Sequence, residues 1–302
     1  MKTIWKKIMK NFINRLFYQI DNKINIKKIQ KVGLFISLCS LIFITNEFKN
    51  ININYQNFFS NQSTYLSIFF MFISYYAFGK AWSNYLFKNS KVNKFETLMY
   101  WLYSNLSKYV PGFIGIPLLR ISQDKKIKSK IMFFGLIEEQ FIPVITLAPL
   151  SFFLLRSNSD YFYLLIVFIV YIVIFFKLLH FFVNFKFKFG KFISYSQSSN
   201  YLIVGFILQF FSILLICLEI DSKNFFKLAI LYLFSSSLSL LFIGSPSGIG
   251  VRELILYTLS NFYFQTNELI TLMIYARIIY LISDIFSGIV GYNYVYKNKQ
   301  QS

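Results

Sequence analysis

One histidine, two cysteines and 12 acidic residues are all that 302 positions supply of those types. His180 ends an apolar run and has no cysteine or second histidine near it, so a zinc site of ordinary ligand spacing is not expected. Cys39 and Cys217 sit in apolar runs without a CxxC spacing, read as small core residues, and neither require nor exclude a disulfide. Charged residues make up only 14% of the chain, against roughly 25% in soluble domains. With 56% hydrophobic and 21% aromatic residues, an ordinary soluble domain would leave far too much apolar surface in water. A bilayer is the natural solvent for it. The first 31 residues contain no continuous apolar stretch of signal-peptide type, and the polar loops are too short to fold as soluble domains.

What the chain does have is an excess of cations, 31 Lys and Arg against 12 Asp and Glu, for a net charge of +19. In a soluble protein this would point to nucleic acid. Here the basic residues fall in short runs between apolar segments, the pattern by which cytoplasmic loops orient a membrane protein, and nucleic acid is not an expected partner. In the N-terminal segment 1–31, Ile4, Trp5, Ile8, Met9, Phe12, Ile13, Leu16 and Phe17 recur at helical spacing among lysines. It reads as a basic cytoplasmic segment, either an interfacial helix on anionic lipid or a plain anchor flank.

The apolar runs predict an all-α, polytopic membrane helix bundle over 32–296, followed by a short tail at 297–302. Predicted spans are Val32–Phe48, Tyr65–Phe87, Ile131–Leu155, Tyr161–Val183, Tyr201–Leu218, Phe225–Ile243, Val251–Phe264 and Leu269–Tyr296, eight in all. Val251–Phe264 is short for a core of ~30 Å. If it is re-entrant, the C-terminus changes side. Phe95–Leu119 has basic residues at both ends and is broken by Ser104-Asn105, Lys108 and Pro111-Gly112, so it reads as a re-entrant broken helix. Irregular backbone at that depth requires burial in protein or a wet cavity. The expected location is the bacterial inner (cytoplasmic) membrane, multi-pass, with the N-terminus in the cytoplasm.

Four polar constellations interrupt the apolar sequence. Asn105, Lys108, Tyr109, Pro111, Gly112, Gly115, Pro117 and Arg120 combine freed backbone groups with positive charge. They suit an anionic headgroup, or else form a helix break whose lysine reaches the interface. Glu138 and Glu139 lie in the next apolar run, where acids are costly unless paired, with Lys108 and Arg120 as natural partners. The alternative is a later helix start that leaves both acids among headgroups. In the segment Gly244 to Glu253, with Pro246, Gly248, Gly250, Arg252 and Glu253, a flexible turn delivers an arginine to a helix start, which favours anions. The bland alternative is a surface turn with an exposed ion pair. Arg277 and Asp284 are seven residues apart and share a face of the last helix, as a structural pair or as part of a transport path. The two Pro/Gly breaks, each after predicted spans and each ending near an arginine, also suggest an internal repeat.

These motifs carry a resemblance. Ser104 to Gly112 with Arg120 and Glu138-Glu139 resembles the first signature of the lysylphosphatidylglycerol synthase transmembrane-region family, and Pro246 to Glu253 resembles the second. Arg277 and Asp284 fit as well, over about residues 30 to 296. The resemblance implies a flippase-like membrane domain. The chain runs to Ser302 without a soluble aminoacyl-transferase domain, so a stand-alone membrane domain is expected rather than a synthase. The resulting expectation is translocation or handling of an anionic or lipid-linked intermediate in envelope lipid or polysaccharide assembly. Lys108, Arg120 and Arg252 would hold a phosphate, and Glu138, Glu139, Glu253 and Asp284 would balance them. Membrane lipids are the expected partners, with glycosyltransferases or other envelope-assembly proteins as a second class. No cofactor, metal or catalytic residue is assigned. The competing readings are a membrane enzyme acting on a lipid-linked sugar, with the paired carboxylates as acid and base, and a non-catalytic scaffold for a glycosyltransferase.

Overall fold

A computed structural model describes residues 55–90, 92–109, 120, 131–132, 135–136, 138–139, 141–147, 161–186, 198–221, 223–239, 250–260 and 264–300. The predicted N-terminal segment 1–31 and first span Val32–Phe48 lie outside them. The described residues are all-α. In chain order the helices are α1 Tyr55–Ser60, α2 Gln62–Ser90, α3 Lys94–Ser104 running into a 3₁₀ turn Asn105–Tyr109, α4 Tyr161–Lys186, α5 Ser199–Ile220, α6 Phe225–Ser239, α7 Val251–Ser260 and α8 Thr266–Gln300. Helical residues between 131 and 147 lie in the span predicted over Ile131–Leu155.

Local chemistry sets several helix ends. Asn93 caps α3: its side-chain oxygen accepts the Phe95 N–H at 2.9 Å, and Glu96 places a negative charge in the first turn. Both α7 and α8 begin with a glutamate at the third helical position reaching back to the cap N–H, Glu253 to Gly250 at 2.8 Å and Glu268 to Gln265 at 3.2 Å. Gly250 has φ 82°, a left-handed conformation that a side chain would strain, and this defines the sharp entry to α7.

The long helices follow the sequence. α2, α4, α5 and α8 extend the predicted runs Tyr65–Phe87, Tyr161–Val183, Tyr201–Leu218 and Leu269–Tyr296 by a few residues at each end or at one end. α8 continues as helix to Gln300, so the described part of the predicted tail is helical. Of the predicted run Val251–Phe264, α7 covers Val251–Ser260, ten residues or about 15 Å, and residues 261–263 lie outside the described ones. α6 has 15 residues, about 22 Å. Among the described residues two stretches, Asn200–Ile220 and Asn267–Tyr296, are long and apolar enough to cross a membrane.

α2 and α5 form the centre of the bundle. They meet through a reciprocal serine pair: Ser67 Oγ donates to the Ser212 carbonyl at 2.6 Å and Ser212 Oγ to the Ser67 carbonyl at 2.8 Å. Small residues that exchange hydrogen bonds allow this close approach. α3 and α8 pack together on one flank. A Cβ added at Gly291 would lie 2.5 Å from both the Met99 carbonyl oxygen and the Tyr103 nitrogen, so only glycine lets the two backbones approach so closely. α4 and α6 pack against α5, and α7 sits against α6 and α8.

The outer surface is apolar. Ile166, Val170, Ile174 and Leu178 form a four-residue-spaced exposed ladder on α4, and Phe286, Ile289, Tyr292 and Tyr296 face outward from α8. An apolar exterior of this extent is the mark of a surface made for lipid or for another apolar partner.

Candidate functional site

Two buried charged centres lie in the bundle, one from each broken segment. The first is built on Arg120, only 2% exposed. Its guanidinium pairs with the Glu139 carboxylate through Nη1 to Oε2 and, at 3.4 Å, through Nη2 to Oε1. Its Nε donates to Ser104 Oγ at 3.0 Å, at the last residue of α3. Trp101 Nε1 donates to Glu139 Oε1 at 3.0 Å. The guanidinium carbon stands 4.7 Å from the ring centre of Trp82 on α2 and 5.4 Å from that of Trp101 on α3. Cation and anion neutralise each other, and each nitrogen of Arg120 has a partner. The adjacent Glu138 is partly buried.

The second centre joins α6, α7 and α8. Glu253 Oε1 accepts Arg252 Nε at 3.3 Å and Arg277 Nε at 2.7 Å, with Arg277 Nη2 at 2.6 Å. Its other oxygen is held by the Gly250 N–H. The Arg252 guanidinium carbon lies 5.1 Å from the ring centre of Tyr232 and 5.3 Å from that of Tyr280. Tyr280 in turn accepts a hydrogen bond from Gln209 Nε2 of α5 at 2.7 Å. Arg252 and Glu253 are each 6% exposed, so the exposed surface pair is excluded. Arg277 pairs with Glu253 on α7, and Asp284 lies two turns along α8. Asp284 is buried too.

Asn105 is fully buried at the start of the 3₁₀ turn. Its Nδ2 lies 3.4 Å from Ser287 Oγ, which donates to the Asp284 carbonyl at 3.0 Å. The helix break anticipated at Ser104-Asn105 thus coincides with the end of α3 and faces α8. Lys108 and Tyr109 lie on the 3₁₀ turn. Their side chains, together with Pro111, Gly112, Pro246 and Gly248, lie outside the described residues. Gly250 has a capping role.

No family model, curated protein or solved structure matches this chain. The site therefore stands on its own geometry. Sequence reading missed Trp82, Trp101, Tyr232, Tyr280 and Gln209. With 39 phenylalanines, 22 tyrosines and 3 tryptophans spread along the chain, nothing in local spacing marks the few aromatics that carry a guanidinium. Among the described residues no group of three or more His, Cys, Asp or Glu is placed to hold a metal ion. Chemically, the two centres offer charge and hydrogen bonds at protein depth.

Proposed function

We propose that this chain is a multi-pass, flippase-like protein of the bacterial inner membrane, with a cytoplasmic N-terminus. It would translocate, or hold for translocation, an anionic or lipid-linked intermediate of envelope lipid or polysaccharide assembly. The observation that carries the reading is the pair of buried arginine–glutamate centres inside a helical bundle whose exterior is apolar. Buried ionisable groups at membrane depth are costly to maintain and are the usual mark of a polar pathway. Two broken segments, each ending at such a centre, suit a binding region at a repeat interface. The resemblance to the lysylphosphatidylglycerol synthase transmembrane region points the same way. The enzyme reading is weakened by the engagement of Glu139 with both Arg120 and Trp101, which leaves it poorly placed as a free acid or base.

The test is leaflet exchange in liposomes holding the purified full chain, with fluorescent anionic, aminoacylated and polyprenyl-phosphate lipids compared with protein-free vesicles. Exchange of one class above the protein-free rate is expected. Folded protein that exchanges none of them overturns the reading.

A further inference from the structure

We infer that the second centre is an incomplete oxyanion receptor, in which the donors Arg252 Nη2 and Tyr232 Oη take a phosphate oxygen, whereas the Arg120 centre is already neutralised by its own carboxylate. The inference deepens the function proposed above and rests on it only for the phosphate being part of a lipid.

The distinction follows from hydrogen-bond accounting. Arg120 spends Nε on Ser104 and both terminal nitrogens on Glu139. An anion arriving there would meet a guanidinium whose charge its own carboxylate already neutralises. Among the described residues Arg252 makes one side-chain hydrogen bond, from Nε to Glu253 at 3.3 Å, and its Nη2 is buried without a hydrogen-bond partner. The hydroxyl of Tyr232, 1% exposed and belonging to a ring beside that guanidinium, is likewise buried and unpartnered. Leaving such groups dry and unsatisfied is costly, and both can donate. What they lack is an acceptor.

Charge accounting agrees. Glu253 is one anion shared by two arginines, and its second oxygen is already occupied by the Gly250 N–H. The Arg252–Glu253–Arg277 triad keeps one positive charge. Arg252 and Glu253 stand in the first turn of α7, where the helix end favours an anion. An acceptor that is anionic and offers several oxygens completes both accounts. Phosphate does so with the geometry that guanidinium groups match.

The experiment uses the full chain in detergent micelles and titrates two probes by calorimetry, inorganic phosphate and short-chain phosphatidate, with short-chain diacylglycerol as the control without phosphate. Phosphatidate is expected to bind and diacylglycerol to bind at least tenfold more weakly. Arg252→Lys should weaken phosphatidate binding about tenfold. Tyr232→Phe should weaken it about fivefold, and because it removes only an unpartnered hydroxyl it keeps the fold. Arg120→Lys should leave affinity within about twofold while lowering the thermal midpoint. Inorganic phosphate binding with the same variant sensitivity supports a receptor for the ion itself, and binding of phosphatidate alone supports a headgroup receptor. Parent-like phosphatidate binding by folded Arg252→Lys and Tyr232→Phe overturns the inference, as does binding of neither phosphate probe. Variant-sensitive binding without leaflet exchange would keep the receptor and remove translocation. Exchange with variant-insensitive binding would do the reverse.

Discussion

The two charged centres are built to one plan and finished differently. Each sets an arginine beside two aromatic rings from different helices, tryptophans in one and tyrosines in the other, and each supplies a glutamate. In the first, one cation meets one anion, with Ser104 and Trp101 taking up further hydrogen bonds. In the second, two cations meet one anion, and among the described residues Arg252 Nη2 has no hydrogen-bond partner. The same residue types therefore give a strut in one place and an unsatisfied cluster in the other. Stoichiometry makes the difference, and it follows from Arg277 reaching across from α8.

The largest expected effect comes from breaking the more heavily loaded glutamate. Glu253→Ala strands two buried arginines and uncaps α7, which should cost roughly 4–5 kcal/mol or prevent folding. Unfolding in detergent, followed by tryptophan fluorescence, measures it. A cost below that of Glu139→Ala would reverse the ranking of the centres.

Arg120→Met should cost about 3 kcal/mol, because Glu139 is left partly buried without its cation. Combining it with Glu139→Leu should return stability to within about 1 kcal/mol of the parent, since a neutral pair can replace an internally satisfied ion pair. A double variant as unstable as the sum of the singles would mean that the pair does more than neutralise itself.

Trp101→Phe removes the indole donor to Glu139 but keeps an aromatic ring near Arg120. It should cost about 1.5 kcal/mol, the scale of a hydrogen bond to a charged group. The smallest effect is expected from Tyr280→Phe, which deletes a neutral bond from Gln209 and should cost under about 1 kcal/mol by the same unfolding measurement. Equal costs for these two changes would erase the distinction between a charge-supporting aromatic and a neutral one.

Much of the helical layout was legible because helix formation is local. α2, α4, α5 and α8 fall where long apolar runs predict them. The break at Ser104-Asn105 falls where polar residues interrupt an apolar run. Arg252 and Glu253 were visible as a helix start because a Gly-rich turn precedes them. The partner of Arg277 was not legible. The local rule offered Asp284 on the same face, while packing turned Arg277 toward Glu253, 24 residues earlier. The burial of that pair was equally hidden, since a short helix after a Pro/Gly turn reads the same at a surface or inside a bundle.

By itself the sequence determined an all-helical chain rich in apolar surface, the positions of its long helices, and the rarity of its charges. Those properties come from composition and from neighbours a few residues apart. Only the tertiary structure decided which arginine meets which glutamate, which aromatic rings stand beside them, and which donors are left without acceptors. Those choices depend on contacts between helices far apart in the chain, and in a low-dielectric interior they decide whether a charge is satisfied or waiting for a ligand.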